Sequence, residues 1–411
     1  MQKSLDRKLN SIHNDPSGSK EFIIADAKDA DMAFGLSATG EYVDPATGQV
    51  RNKTLGEYRD QIREVIAQGI VDIVLMSAST AEKLAIEEKL FENSLLTPAA
   101  RGNDTTDVHI PRGGTAFQEA SFPFRSASID HMMSGKLDPT DAERKRGVDL
   151  ALYSITFNNN RDLDLHALEQ YKLFREEAER KGFRHFLELF DPNLPGAVPP
   201  EQVAGFINDQ IVRTLGGVTS KGRPVFLKMV YHGPQAMEEL VAYDPHLVVG
   251  VLGGAAGTTL DAFTLLHEAK KYGGRAALFG RKINQAEHQL AFIQFLRHLA
   301  DGLIEPVEAV KAYHGVLEKL NIKPRRTLEE DLTLQTSVMS YGGSGTTISI
   351  PKSSTKLASV KAATWKPTEK PVAKPAAKSV EKQTASAPDF NSMSSDERLK
   401  YHQDRLANLF G

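Results

Sequence analysis

The chain contains no cysteine in 411 residues, which excludes disulfides, a thiol nucleophile and cysteine-ligated zinc or iron–sulfur centres. Any chemistry must use nitrogen and oxygen. Charge of one sign is not in excess: 50 Lys and Arg stand against 53 Asp and Glu, for a formal net charge of −3. A dedicated nucleic-acid binder, which would be strongly basic, is thereby excluded. No apolar run is long enough to span a bilayer, and the opening stretch Met1–Lys8 is polar, so the expectation is a cytoplasmic protein with no membrane partner. Neither HExxH nor HxH occurs, and His185 and His232, the histidines nearest the expected functional end, are isolated. No metal and no cofactor are expected.

What is present is the ordinary balance of a globular protein, with 40% hydrophobic and 25% charged residues. Leu5, Leu9 and Ile12 recur at helical spacing and predict a short amphipathic helix that caps the body of the fold. From residue 21 to 300, short β-branched apolar stretches alternate with longer amphipathic ones, the signature of βα units around a parallel sheet. Strands are predicted over residues 21–26, 71–76, 125–129, 148–157, 183–190, 224–231, 247–252 and 275–280, the third being the weakest. Helices are predicted over 54–68, 164–181, 200–215, 258–272, 284–300 and 306–320. The first opens with a Thr54/Glu57 capping box. Eight mostly apolar strands, each followed by a helix, predict an α/β fold of the closed (β/α)8 or TIM-barrel type over residues 1–340, with an open doubly wound sheet as the alternative. Two long excursions, 36–53 and 93–124, interrupt the pattern; the first leaves the C-terminal end of strand 1 and is expected to help build the mouth.

The composition changes near residue 342. Residues 341–390 are rich in Pro, Ala, Lys and Ser, with lysines recurring from Lys352 to Lys382 against Glu369 and Glu381. Such a segment cannot bury enough apolar surface to fold, and reads as a disordered linker. Residues 391–411 then carry a Ser394/Glu397 capping box with Leu399, His402, Leu406, Leu409 and Phe410 along one face. This is read either as an amphipathic docking or encapsulation helix or as a frayed terminus lying on its own barrel.

In a barrel, functional groups sit at the C-terminal ends of strands and in the loops beyond. Lys228 stands inside the apolar strand PVFLKMVY, where burial lowers an ammonium's pKa and yields a neutral amine able to form a Schiff base with a carbonyl. Glu188 in FRHFLELF shares an inward face with Phe186 and Phe190, and either shuttles protons for Lys228 or holds it inert in a salt bridge. Asp26 and Lys28, at the end of strand 1, are a third candidate group, or else cap a loop. Glycine turns follow the last two strands, Gly253-Gly254 and Gly280-Arg281, where barrels often hold a phosphate on backbone N–H groups.

The order FLKMVYHGP, VVGVLGGAAGTT and AALFGRKINQ resembles the last three strands of the class I, Schiff-base barrel aldolases of the DeoC/LacD and archaeal-type fructose-bisphosphate aldolase group. The resemblance covers roughly residues 20–300. In that group a strand-6 lysine forms the Schiff base, a Gly-Gly turn follows strand 7 and Gly-Arg closes strand 8. Lys228, Gly253, Gly254, Gly280 and Arg281 occupy those places. FLELF is similar to the strand-5 motif of tagatose-bisphosphate aldolases, whose glutamate is the acid/base, and Glu188 matches it. Asp26 resembles the strand-1 aspartate, and Lys28 stands where relatives often have arginine or histidine. Strand 4, LALYSITF, lacks the lysine of the tagatose type, leaving Tyr153 or Thr156 to take part of its role, and the strand-5 tyrosine of fructose-bisphosphate members is here Phe190. The loop 101–114 has no counterpart, and its Arg101, His109 and Arg112 are candidates for a second anionic group.

The resemblance implies a metal-independent lyase acting on a phosphorylated ketose, Lys228 and Glu188 being catalytic, with Asp26 positioning hydroxyls or assisting proton transfer. Lys28, Tyr153, Gly253, Gly254, Gly280 and Arg281 would bind substrate. It also implies a homo-oligomer. Two alternatives stay open: a transaldolase- or thiolase-like transferase, and a non-catalytic barrel that binds a sugar phosphate or serves as cargo. The tail resembles the C-terminal peptides that target enzymes to bacterial microcompartments, so a shell protein is an expected partner and a microcompartment interior an expected location.

Overall fold

The computed structural model describes residues 1–44, 47–109, 111–254 and 257–336. Eight parallel strands close into a barrel: β1 (Ile23–Lys28), β2 (Ile73–Met76), β3 (Thr97–Arg101), β4 (Leu150–Thr156), β5 (Arg184–Phe190), β6 (Leu227–Met229), β7 (Val249–Leu252) and β8 (Ala276–Phe279). Neighbours in the barrel follow chain order, and β8 closes onto β1. The expected (β/α)8 barrel is therefore the architecture. The linker expected over 341–390 and the helix expected over 391–411 lie outside the described residues. No helix among the described residues is long and apolar enough to cross a membrane.

Alternation divides each strand into two faces. Ile23, Ala25, Ala27, Ile73, Leu75, Ala99, Leu150, Leu152, Phe186, Phe226, Ala276 and Leu278 fill the lumen. The residues between them pack outward under the helices α2 (Leu55–Gln68), α3 (Ile129–Ser134), α4 (Arg161–Arg180), α5 (Val203–Leu215), α6 (Pro234–Tyr243), α7 (Thr259–Lys271), α8 (Arg281–Gln285), α9 (Gln289–Asp301) and α10 (Pro306–Lys319). The Thr54/Glu57 capping box that opens α2 is formed as expected. The N-terminal helix, α1 (Ser4–Asn14), buries Leu5, Leu9 and Ile12 against the lumen residues and plugs the end of the barrel opposite the strand C-termini. Fully burying each such aliphatic side chain stabilises the fold by about 1.5–3 kcal/mol.

The third strand is a correction. The expectation was 125–129, but the barrel strand is Thr97–Arg101, and residues 129–134 form α3. The sequence TPAAR carries neither β-branched density nor alternation, because its neighbours on both sides supply the packing and alanine fits the crowded wall. The first excursion forms a short antiparallel ribbon, Glu41–Val43 with Val50–Asn52. A second ribbon pairs Asp104–Thr105 with Pro123–Phe124 and brings the segment after β3 over the C-terminal end of the barrel.

Candidate active site

Strand register determines which side chains can meet. Ser154, Glu188 and Lys228 are aligned across β4, β5 and β6, so all three face the lumen at one level. The Lys228 ammonium lies 2.6 Å from Glu188 Oε1. Ser154 Oγ donates to Glu188 Oε2 at 2.7 Å. Both charged side chains are almost fully buried, at 2% and 0% exposure. Asn103 fixes the Ser154 backbone in both directions, accepting from its N–H at 2.6 Å and donating to its carbonyl at 2.8 Å. The pair Lys228 and Glu188, selected because charges inside apolar strands are costly, is thus brought into contact.

A second buried charge group lies on the other side of the lumen. Arg101, at the end of β3, donates from Nε to Asp29 at 2.6 Å and from a terminal nitrogen to Asp104 at 2.8 Å. Burial raises Asp104 to about 7 even though Arg101 pulls the other way, because one guanidinium faces two carboxylates in a dry site. Asp107 accepts from Thr156 Oγ1 at 3.1 Å and from Ser121 Oγ at 2.7 Å.

Above these polar residues the lumen is closed by an apolar cap. Phe190 and Val230 follow Glu188 and Lys228 by two positions on the same inward faces, and they pack with Ala33, Val108, Phe117 and Leu252. Val108 and Phe117 come from the segment after β3. Ser121 pins that segment through its N–H to Asn158 Oδ1 at 2.8 Å and to Asn193 Oδ1 at 3.1 Å, while Asn193 donates back to Glu119 O at 2.7 Å.

Several expected site residues are elsewhere. Asp26 shares its register with Val74 and Phe279, and Lys28 shares its with Met76, all outer-layer residues. Both charges therefore face the helices and not the lumen. They pair with each other at 3.2 Å, and Lys28 also donates to Asn284 and Gln289, beyond β8. Burial raises Asp26 to about 6 and lowers Lys28. The position nearer the lumen belongs to Asp29, three residues on. Tyr153 likewise points outward, stacked at 5.0 Å on Tyr171 and 4.6 Å on Phe174 of α4, because it alternates with Leu152 and Ser154; it does not join the lumen residues.

Gly253, Gly254, Gly280 and Arg281 stand beyond the C-terminal ends of β7 and β8, the functional end of a barrel. Gly253 has a packing reason of its own, since a Cβ there would collide with the Phe279 ring. Gly254 takes φ +56, the left-handed conformation that glycine supplies without strain. Arg281 lines a lateral cleft between α2 and α9. Arg101 is buried in ion pairs and does not present a free loop cation, His109 packs edge-on to Phe124 at 5.2 Å, and Arg112 is exposed.

His185 lies near the start of β5 on its outer face, bonded to Tyr171 Oη at 2.8 Å, and burial drops its imidazole to about 3. It is not near the mouth. His232 sits 3.0 Å from Asp191 just past β6. Among the described residues no cluster of three or more His, Asp or Glu is arranged to hold a metal ion. Ser154, Asn103, Asp29 and Asp104 were missed by sequence reasoning. The detectable signal for Ser154 was a small polar residue at an inward position of LALYSITF; the other three lie outside the predicted strands.

No family model matches the chain, and no curated protein matches it. Among solved structures it is similar to an archaeal fructose 1,6-bisphosphate aldolase, at 15% identity and a TM-score of 0.50 over 72% of this chain and 99% of that one. It is also similar to the fructose-bisphosphate aldolase from Slackia heliotrinireducens, at 13% identity and a TM-score of 0.53, over 76% of this chain and 91% of that one. At these identities the likeness is one of fold: the chain shares the barrel of these proteins over nearly their whole length.

Proposed function

We propose that the protein is a class I aldolase that makes or breaks a C–C bond in a phosphorylated ketose through a Schiff base on Lys228. The observation that carries this reading is the 2.6 Å contact of Lys228 with Glu188 inside the lumen. The fold likeness to two fructose-bisphosphate aldolases supports it. In the pair, Glu188 takes a proton from the ammonium, and the free amine attacks the substrate carbonyl carbon. Glu188 returns that proton to the carbinolamine hydroxyl, which leaves as water and gives the iminium. Removal of the proton from the β-hydroxyl then breaks the adjacent C–C bond, releasing an aldehyde, and the bonding electrons pass to the enamine. Protonation at carbon and hydrolysis free the second product and Lys228. Ser154 holds Glu188 in position throughout. Substrate entry requires the cap over Lys228, to which Phe117 belongs, to open.

The same cap favours a second reading, a non-catalytic barrel in which Glu188 keeps Lys228 charged. Borohydride reduction with dihydroxyacetone phosphate and a panel of ketose phosphates, followed by peptide mass mapping, separates the two. A substrate-dependent mass increment on Lys228 is expected. Its absence on folded protein with every panel member would overturn the aldolase reading. Product analysis with and without an acceptor aldehyde distinguishes cleavage from transfer.

A further inference from the structure

Behind β1 the strand–helix interface carries two fully buried charged side chains, Asp26 and Lys28. Charges at such a place are costly unless paired and hydrogen-bonded, and here the two pair with each other at 3.2 Å. Lys28 reaches two residues of the cleft between α2 and α9, a cavity of about 670 Å³ bordered by the first ribbon and the start of α8. Its volume falls within the roughly 300–1,000 Å³ typical of small-molecule sites. Five side-chain amides, Asn52, Gln61, Gln285, Asn284 and Gln289, line it. The Lys28 ammonium donates to the amide oxygens of the last two and so sets their orientation.

Three cations, Lys53, Arg281 and Arg325, also line the cleft. Two acids on its wall are already engaged: Glu64 accepts from Gln289 at 2.9 Å, and Glu287 accepts from Tyr313 Oη at 3.0 Å and the Arg325 N–H at 2.9 Å. Glu41 stands exposed at the rim. Among the described residues the Lys53 ammonium donates to the Gln61 amide at 3.1 Å, and no ion pair to Lys53 or Arg325 occurs. Burial and the neighbouring Lys28 and Arg325 push the Lys53 ammonium below its ordinary pKa, so an anion is the missing partner. No Phe, Tyr or Trp lines the cleft to stack a base.

We propose that this cleft is a second ligand site, separate from the lumen, for a small polyhydroxylated anion of the polyol-phosphate or sugar-phosphate kind. The amides serve the hydroxyls, and Lys53, Arg325 and Arg281 serve the phosphate. The site is independent of Lys228 chemistry, because it opens on the outer face of β1 while Lys228 faces inward.

Isothermal titration of the full chain with glycerol 3-phosphate tests this, since that probe has no carbonyl to react with Lys228. Saturable binding is expected. It should weaken roughly tenfold or more in a Lys53→Gln/Arg325→Gln variant and change less than about twofold in Lys228→Met. Lys53 and Arg325 are half-buried and exposed, so the double variant should keep the parent's unfolding midpoint. No saturable binding at millimolar probe would overturn the proposal, as would loss of binding in Lys228→Met with none in the cleft variant. Inorganic phosphate binding as tightly as glycerol 3-phosphate would overturn the polyol part.

Discussion

Removing the Lys228 ammonium while leaving Glu188 in place should destabilise the barrel strongly, and removing both charges should not. Unit charges 2.6 Å apart attract by about 6 kcal/mol at an effective dielectric of about 20. Desolvating two ions at 2% and 0% exposure costs several kcal/mol each, so the intact pair contributes little net stability. A Lys228→Met variant keeps the cost of burying the Glu188 carboxylate and loses the attraction, which leaves a deficit of about 3–5 kcal/mol. The bond from Ser154 Oγ to Glu188 at 2.7 Å holds the figure towards the lower end. At about 2 °C per kcal/mol for a domain of this size, the midpoint of thermal unfolding should fall by roughly 6–10 °C. In Lys228→Met/Glu188→Leu no buried charge remains, and the midpoint should return to within about 3 °C of the parent, by the non-additivity expected of two residues in contact. Calorimetry at pH 7 on the four proteins of the cycle reads this directly. A single variant as stable as the parent would refute the reasoning, because Glu188 would then have found water or another cation and the lumen would not be dry. A double variant as unstable as the single would refute it too, placing the cost in packing and not in charge.

Phe117→Ala should loosen the cap at a cost of about 3–5 kcal/mol, the usual range for a buried phenylalanine, and under borohydride trapping it should label Lys228 faster than the parent; an unchanged labelling rate would mean that entry does not pass under the Phe117 segment. Asp104 is held near 7 when folded, against an ordinary value of 3.8. The folded state therefore keeps a proton that the unfolded chain has already lost, and stability should fall as pH rises from about 4 to about 7. In Asp104→Asn urea midpoints measured across that window should show a flatter slope, and an unaltered slope would assign the proton elsewhere. Tyr153→Phe should leave KM and kcat of any aldolase activity unchanged within about twofold, because the ring packs on α4; a large rise in KM would return Tyr153 to the substrate.

The parts of this molecule that were legible in sequence are those governed by one physical rule acting locally. Seven of the eight barrel strands were readable because apolar β-branched runs that are buried on both faces leave a continuous signal, as in VDLALYSITF and PVFLKMVY. Thr97–Arg101 was not, because a strand of Thr, Pro and Ala is held by its neighbours' packing, and nothing in its own residues announces it. The same distinction runs through the site. Lys228 and Glu188 were legible as charges embedded in apolar strands, and alternation correctly turned Glu188 inward with Phe186. Asp26 was chosen by the same rule and faces the other way. Parity within a strand is counted from an inward residue, and nothing in EFIIADAK tells which of Ile23 and Ile24 that is, since both faces of β1 are fully buried. A one-residue change of register moves every side chain to the opposite face. The Asp26/Lys28 pair was thus recognised as chemically unusual but assigned to the wrong compartment, and its outward orientation is what directs attention to the cleft between α2 and α9. Asp29 and Arg101 meet across 72 positions of sequence, a contact that only barrel closure creates, so no spacing rule applied to the chain could have paired them.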